Sequence, residues 1–313
     1  MKNVTLEELL EAGAHFGHQV TRQNPKARDY VFEARDNIHI IDLAKTKEGL
    51  DEAAVFVRDL AKKGGTMIVL GAKRQAEPLV REAAKKASDA KVDGLYFVTN
   101  RWIGGILTNF GEVSKNFKRL KDLGKFMDTP SEKARFTKKE ISLMEKERQK
   151  LESFYWGVQD MAQIPDAVFI IDTHLEDLAV REALATGVKT VGITDTNADP
   201  TIIDYPIPAN DDAVGSVQLI LGQMIDAWIE GRGAAAAQTA DGKEQSEGKK
   251  VSKSIKEDKE EKKIVETALE IDDKAEKTVD AEKELKAAES TSVSAKSKAV
   301  SVKSKTTKKE KNA

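Results

Sequence analysis

The 313-residue chain contains no cysteine. Disulfides, thiolate metal centres and thiol nucleophiles are therefore excluded, and a reducing compartment fits. No apolar run approaches the roughly 18 residues that a membrane-crossing helix needs. The opening Met1–Leu10 is acidic and amphipathic, unlike a secretory leader or an Arg-rich transit peptide. These absences predict a cytoplasmic protein with no membrane partner. Aromatic residues are scarce, 5% of the chain, and none lies beyond position 233.

That last absence divides the chain. Residues 234–313 hold 19 Lys, no Arg and 17 acids. Such a segment cannot bury enough apolar surface to offset its ordering entropy, so a disordered, low-complexity tail is expected. Its centre, 257–289, mixes both charge signs and is compatible with transient helix. Its end, 290–313, carries seven Lys and one Glu, which suits either a solvated tail or electrostatic association with RNA. The preceding 233 residues hold 32 basic and 36 acidic groups. A nucleic-acid binder of that balance must gather its basic groups on one face. Clustering is visible at 22–35, and at 115–125, where five bases meet one acid.

What is present reads as alternating strands and helices. Thr5 and Glu8 form a capping-box pattern that opens a short helix through Glu11. Residues 12–35 are expected as a loop, punctuated by glycine, Asn24-Pro25 and charge. Apolar strands are expected at 38–43, 66–70, 95–98, 167–171 and 190–193. Helices are expected at 46–63, 75–87, 175–186 and 214–230. Continuous apolar strands alternating with helices imply a parallel sheet covered on both faces, an α/β fold.

One stretch breaks the rhythm. Ile106, Phe110, Val113, Phe117 and Leu120 are spaced 4, 3, 4, 3, and Ile141, Met144, Arg148, Leu151, Tyr155 and Val158 are spaced 3, 4, 3, 4, 3. This is coiled-coil spacing, interrupted at Gly124 and at Asp128-Thr-Pro130. The expected organisation is an α/β body at 1–105 and 161–233, an inserted helical hairpin at 106–160, and the tail. Two ordinary surface helices are the alternative to the hairpin.

Candidate chemistry is sparse. His15 and His18 would share a face only if helical, and no neighbouring acid or thiol completes an obvious ligand set, so loop packing or RNA contact is expected and no metal or cofactor. Asp42, Asp172 and Asp195 each follow an apolar strand, where open α/β sheets bind ligands. They would suit a magnesium-dependent phosphatase, but helix and turn capping explains them as well and is preferred. Asp195–Asp199 imitates the start of a calcium loop, but Pro200 and Pro206 stand where that loop requires Gly and Glu. Gly71-Ala-Lys-Arg lacks both the dinucleotide and the P-loop pattern, so Lys73 and Arg74 suit an RNA phosphate or plain solvation. The run 96–110 carries Arg101, Trp102, Gly104-Gly105 and no acid, thiol or histidine. It is built for holding rather than transforming. Arg22, Lys26, Arg28, Arg35, Lys73, Arg74 and Arg101 are the expected phosphate contacts, with Trp102 stacking or packing beside them. Lys115, Lys118 and Arg119 would form a second footprint on the hairpin.

Several blocks together are family-like: Leu10–Gln19, Asn24-Pro-Lys26, Ile38–Leu43, Asn100–Phe110, Ile164-Pro-Asp166, Asp195-Thr-Asn197 and Asp204–Asp212. In order and content they closely resemble the second protein of the small ribosomal subunit in its bacterial form. The resemblance implies a flavodoxin-like sheet with a protruding coiled-coil hairpin. It also implies a non-enzymatic structural role between head and body of the subunit. The implied partners are ribosomal RNA and neighbouring small-subunit proteins, including the large one numbered one. Two departures stand out. Gln23 occupies a place where the family usually has an aromatic ring, and about eighty residues follow the last expected helix.

Overall fold

The computed structural model describes residues 3–235, and the tail expected at 234–313 lies almost wholly outside them. The chain opens with α1 (Leu6–Glu11), started by a reciprocal capping box: Glu8 N–H donates to Thr5 Oγ1, and Thr5 N–H to the Glu8 carboxylate. Three short strands follow, β1 (Phe16–Gln19), β2 (Val31–Arg35) and β3 (Ile38–Ile41), with 3-10 turns at Val20–Arg22 and Pro25–Tyr30. They form an antiparallel sheet in the order β1-β3-β2. Asp36 and Asn37, both at positive φ, turn β2 into β3, a geometry Asp and Asn tolerate and hairpins favour.

This sheet corrects two expectations. Residues 12–35 are not merely loop, because β1 and β2 pair with β3. These strands carry His, Gln, Glu and Arg and are largely exposed, so they show neither an apolar run nor clean alternation. Ile38–Ile41 is a strand, but of this layer and not of the parallel sheet.

The main layer then builds through α2 (Leu43–Lys62), β4 (Met67–Leu70), α3 (Ala76–Asp89) and β5 (Leu95–Val98). Next come α4 (Phe110–Asp128), the single turn α5 (Pro130–Lys133) and α6 (Lys138–Tyr155). The chain returns through β6 (Ala167–Ile170), α7 (Asp177–Thr186), β7 (Lys189–Thr194) and β8 (Tyr205–Pro208). Residues 214–235 form the closing helix, α8. The five parallel strands lie in the order β5-β4-β6-β7-β8. Counted from β4 this is 2-1-3-4-5, the flavodoxin-like order, with its switch point between β4 and β6. β8 escapes a sequence reading because Pro206 and Pro208 demote it. As the edge strand it tolerates them.

Alternate side chains of each strand feed opposite layers. Met67, Val69, Phe169, Ile171, Ile193 and Ile207 pack with α2, α3 and α8. Ile68, Leu70, Val168 and Ile170 pack with α7, with Trp102, Ile106 and Leu107, and with the root of α4 and α6. At about 25 cal/mol per Å² of apolar surface, these two layers dominate the folding energy.

α4 and α6 pack against each other antiparallel. Phe117 meets the Tyr155 ring, Arg119 pairs with Glu147, and Phe126 meets Phe136 beyond the tip. α4 runs through Gly124 without a break. On α6 the expected seam positions Ile141, Met144, Arg148, Leu151 and Tyr155 are all buried or half-buried, while Leu143 between them is exposed. The hairpin is rooted on β5, where Phe97 N–H donates to Gly157 O at 3.0 Å and Trp156 Nε1–H donates to Thr99 Oγ1 at 3.0 Å.

Candidate nucleic-acid interface

The carboxyl ends of the parallel strands carry most of the polar chemistry. The turn after β4 presents Lys73 and Arg74, β5 runs into Arg101, and β7 runs into Asp195. The N-terminal layer is tied to the same end. His18 N–H donates to Thr196 Oγ1, Asn24 N–H to Thr196 O, and Asn210 N–H to Ala14 O. Gly17 is needed for this approach: a Cβ there would lie 2.7 Å from Thr196 Cγ2 and 3.1 Å from His39 O. Asn24 and Lys26 are thereby brought beyond the carboxyl end of β7, where Lys26 meets Asp199.

The basic groups differ in what they face. Among the described residues, Arg22, Arg28, Arg35, Arg74, Arg101 and Lys118 are exposed and make no ion pair. Lys26 is exposed but held by Asp199 at 2.6 Å. Lys115 pairs with Glu112 in its own helix, and Arg119 with Glu147 across the hairpin.

Two expected contacts are corrected. Trp102 is 3% exposed and packs in the layer under α7, so its ring offers no face to a base. The apolar indole is worth more in this layer with Leu70 and Ile106 than in water, while its neighbour Arg101 reaches the surface. Lys73 is likewise unavailable to a phosphate. Its Nζ lies 2.8 Å from carboxylates of Asp172, Asp211 and Asp212. Burial opposes its charge, but Asp211 and the hydrogen bonds of all three acids outweigh burial and raise its pKa.

Around Lys73 the flavodoxin-like switch point is filled by the chain itself. Asp172 also caps the turn after β6, accepting from His174 N–H and Leu175 N–H. Asp42 caps α2 through Ala44 N–H. His18 Nδ1 lies 2.9 Å from Asp195 Oδ2, and its Nε2 lies 3.6 Å from Asp212 Oδ2. The Asp195 hydrogen bond raises the His18 pKa against the effect of burial. Asp211 is pushed up to about 7 by burial and by the charges of Asp172 and Asp195. His15 takes no part. Its ring packs on Phe16 and burial lowers its pKa. His15 lies in the turn before β1 and His18 within that strand, so a spacing of three does not bring the two histidines together.

Sequence reasoning missed Glu182. Buried on α7, it accepts from Gly105 N–H at 2.7 Å, Leu107 N–H at 3.1 Å, and the Thr108 N–H and hydroxyl. Gly105, at φ +97°, makes the turn that aims these donors. The double glycine thus serves an internal carboxylate. The only sequence signal was an acid mid-helix with no basic partner four residues away.

A flavodoxin-like sheet supports many functions, so the fold alone decides nothing. A model of the ribosomal protein S2 family matches residues 9–231, most of the chain. The chain belongs to the ribosomal protein S2 family. It is a structural, non-enzymatic protein of the small ribosomal subunit. The match spans both the N-terminal layer and the parallel sheet of this S2 chain, and it includes α4 and α6. Among the described residues no helix is long and apolar enough to cross a membrane.

Proposed function

We propose that this S2 chain binds small-subunit ribosomal RNA with the side of the body where the parallel strands end. The observation that carries this reading is the set of exposed arginines outside any ion pair, Arg22, Arg28, Arg74 and Arg101, joined by Arg35 at the β2–β3 hairpin. Some bases elsewhere are paired internally, as Arg81 with Glu77, Lys86 with Asp226 and Arg181 with Asp177. Lys26 adds a group already oriented by Asp199. Lys118, with Lys115 and Arg119 beside it, gives α4 a second footprint. Phosphate contacts of this kind position a protein without reading sequence, so RNA shape supplies the specificity.

In this reading α4 and α6 form a short coiled coil, the chain sits between head and body of cytoplasmic ribosomes, and its surface helps recruit the large neighbouring protein numbered one. Subunits reassembled without the chain then lack that protein. The decisive experiment for RNA binding compares the native chain with an Arg74→Ala/Arg101→Ala double variant, by filter binding to small-subunit RNA across a salt series. The log–log salt slope should become shallower by about two, one for each arginine–phosphate pair removed. An unchanged slope in a folded variant rejects the assignment.

A further inference from the structure

We propose that the outward face of α6 is a docking stripe for the backbone of double-helical RNA, carried by Lys139, Lys146 and Lys150. The stripe rests on the chain being an RNA binder and adds a third footprint to it. Lys139, Leu143, Lys146 and Lys150 are spaced 4, 3, 4, so they share one side of a 3.6-residue helix. That side lies almost opposite the seam of Ile141, Met144, Leu151 and Tyr155, and all four of its residues are exposed. From Lys139 to Lys150 the helix axis runs about 17 Å.

The stripe is cationic because the acids of the helix are used elsewhere. Glu140 is held in a capping box with Thr137. Glu145 and Glu152 both take Arg148. Glu147 reaches across to Arg119 on α4. Each carboxylate of α6 is thus committed, while Lys139, Lys146 and Lys150 make no ion pair among the described residues. On α4, by contrast, Lys115, Arg119 and Lys121 are each matched to an acid. The larger share of the hairpin's free positive charge therefore lies on α6.

A stripe of this composition suits a polyanion. Lysine is depleted at protein–protein interfaces, and its ammonium binds phosphate as a point charge. No arginine fork and no aromatic ring stands in the stripe, so it neither reads base edges in pairs of bonds nor stacks on unpaired bases. A duplex presents its phosphates in a fixed array and is recognised by shape. Leu143, 58% exposed in the middle of the stripe, then lies against the wide, shallow minor groove of that duplex.

The test is filter binding of the full chain to small-subunit RNA across a salt series, with ribonuclease footprinting of the paired regions. Lys139→Ala/Lys146→Ala/Lys150→Ala uses the best helix former, so α6 is retained. This variant should make the log–log salt slope shallower by about two to three and open one duplex segment to cleavage. Lys62→Ala/Lys63→Ala/Lys85→Ala removes the same net charge from exposed positions of the body and should leave that duplex protected. An unchanged slope with the duplex still protected overturns the proposal. Arg74→Ala/Arg101→Ala is run alongside. If it flattens the slope and the α6 variant does not, only the stripe falls; if neither does, RNA binding falls with it. Subunits reassembled with the α6 variant that lack a neighbouring protein, while RNA binding is intact, would give the stripe to protein and overturn the proposal as well.

Discussion

The Glu182 carboxylate stands 2.7 Å from the backbone nitrogen of Gly105, seventy-seven residues away in sequence. One buried anion thus gathers the N–H groups of a loop that would otherwise bury them unpaired. The loop also lays Trp102, Ile106 and Leu107 on the sheet, a position that a crossover helix normally fills.

Glu182→Ala should therefore destabilise the body by about 3 kcal/mol, since several donors lose a charged acceptor together. Urea unfolding followed by circular dichroism measures it. A loss below about 1 kcal/mol would mean that water replaces the carboxylate easily.

Glu176 gives a pH signature. It is buried beside Asp172, and burial first and that charge second raise its pKa from 4.5 to about 7, against the pull of Arg101. A carboxyl whose pKa rises on folding costs nothing below pH 4.5, where it is protonated in both states. The cost grows as pH climbs from 4.5 to about 7 and is complete above that. Glu176→Gln should stabilise the chain at pH 8 by on the order of 1–3 kcal/mol and leave it unchanged at pH 4. Equal melting shifts at both pH values would contradict this.

Lys73 should be hard to replace. Lys73→Met leaves Asp172, Asp211 and Asp212 facing one another without their shared cation. Removing one partner of a buried ion pair typically costs about 3–5 kcal/mol. The unfolding experiment measures this effect. A near-neutral substitution would show that the acids relax outward.

Gly157→Ala should loosen the root of the hairpin. A Cβ at that position would collide with the Phe97 carbonyl, on the strand whose N–H already pairs with Gly157 O. The expected cost is about 2 kcal/mol or more, with hydrogen exchange accelerated at Phe97 before the rest of β5.

The parallel strands from β4 to β7 and their helices were legible in the sequence because continuous apolar runs and 3.6-residue periodicity report burial directly. β1 and β2 were not, because they pair in a thin layer that leaves Phe32 and most polar residues in solvent. β8 was hidden by its prolines. Two long helices in 106–160 were legible from their 3–4 spacing, and α4 and α6 stand there. The basic candidates were legible as residues but not as partners. Sequence does not reveal that Lys73 meets three acids supplied from positions 172, 211 and 212, nor that Trp102 turns inward while Arg101 turns out. His18 was noticed beside the wrong companion, His15. Its actual neighbours lie almost two hundred residues on, where only the fold brings Asp195, Asp211 and Asp212 together.

The hairpin leaves the sheet and returns to it at one place, with Thr99 and Trp156 hydrogen-bonded side by side. Its nineteen-residue first arm spans about 28 Å at 1.5 Å per residue. A load at the tip therefore acts on a lever whose fulcrum is shared by β5 and by the root residues packed on β4 and β6. A tilt of about six degrees there carries the far end about 3 Å. Torque on the arm passes into β5 at the edge, and into β4, β6 and α7 through the root residues packed with them.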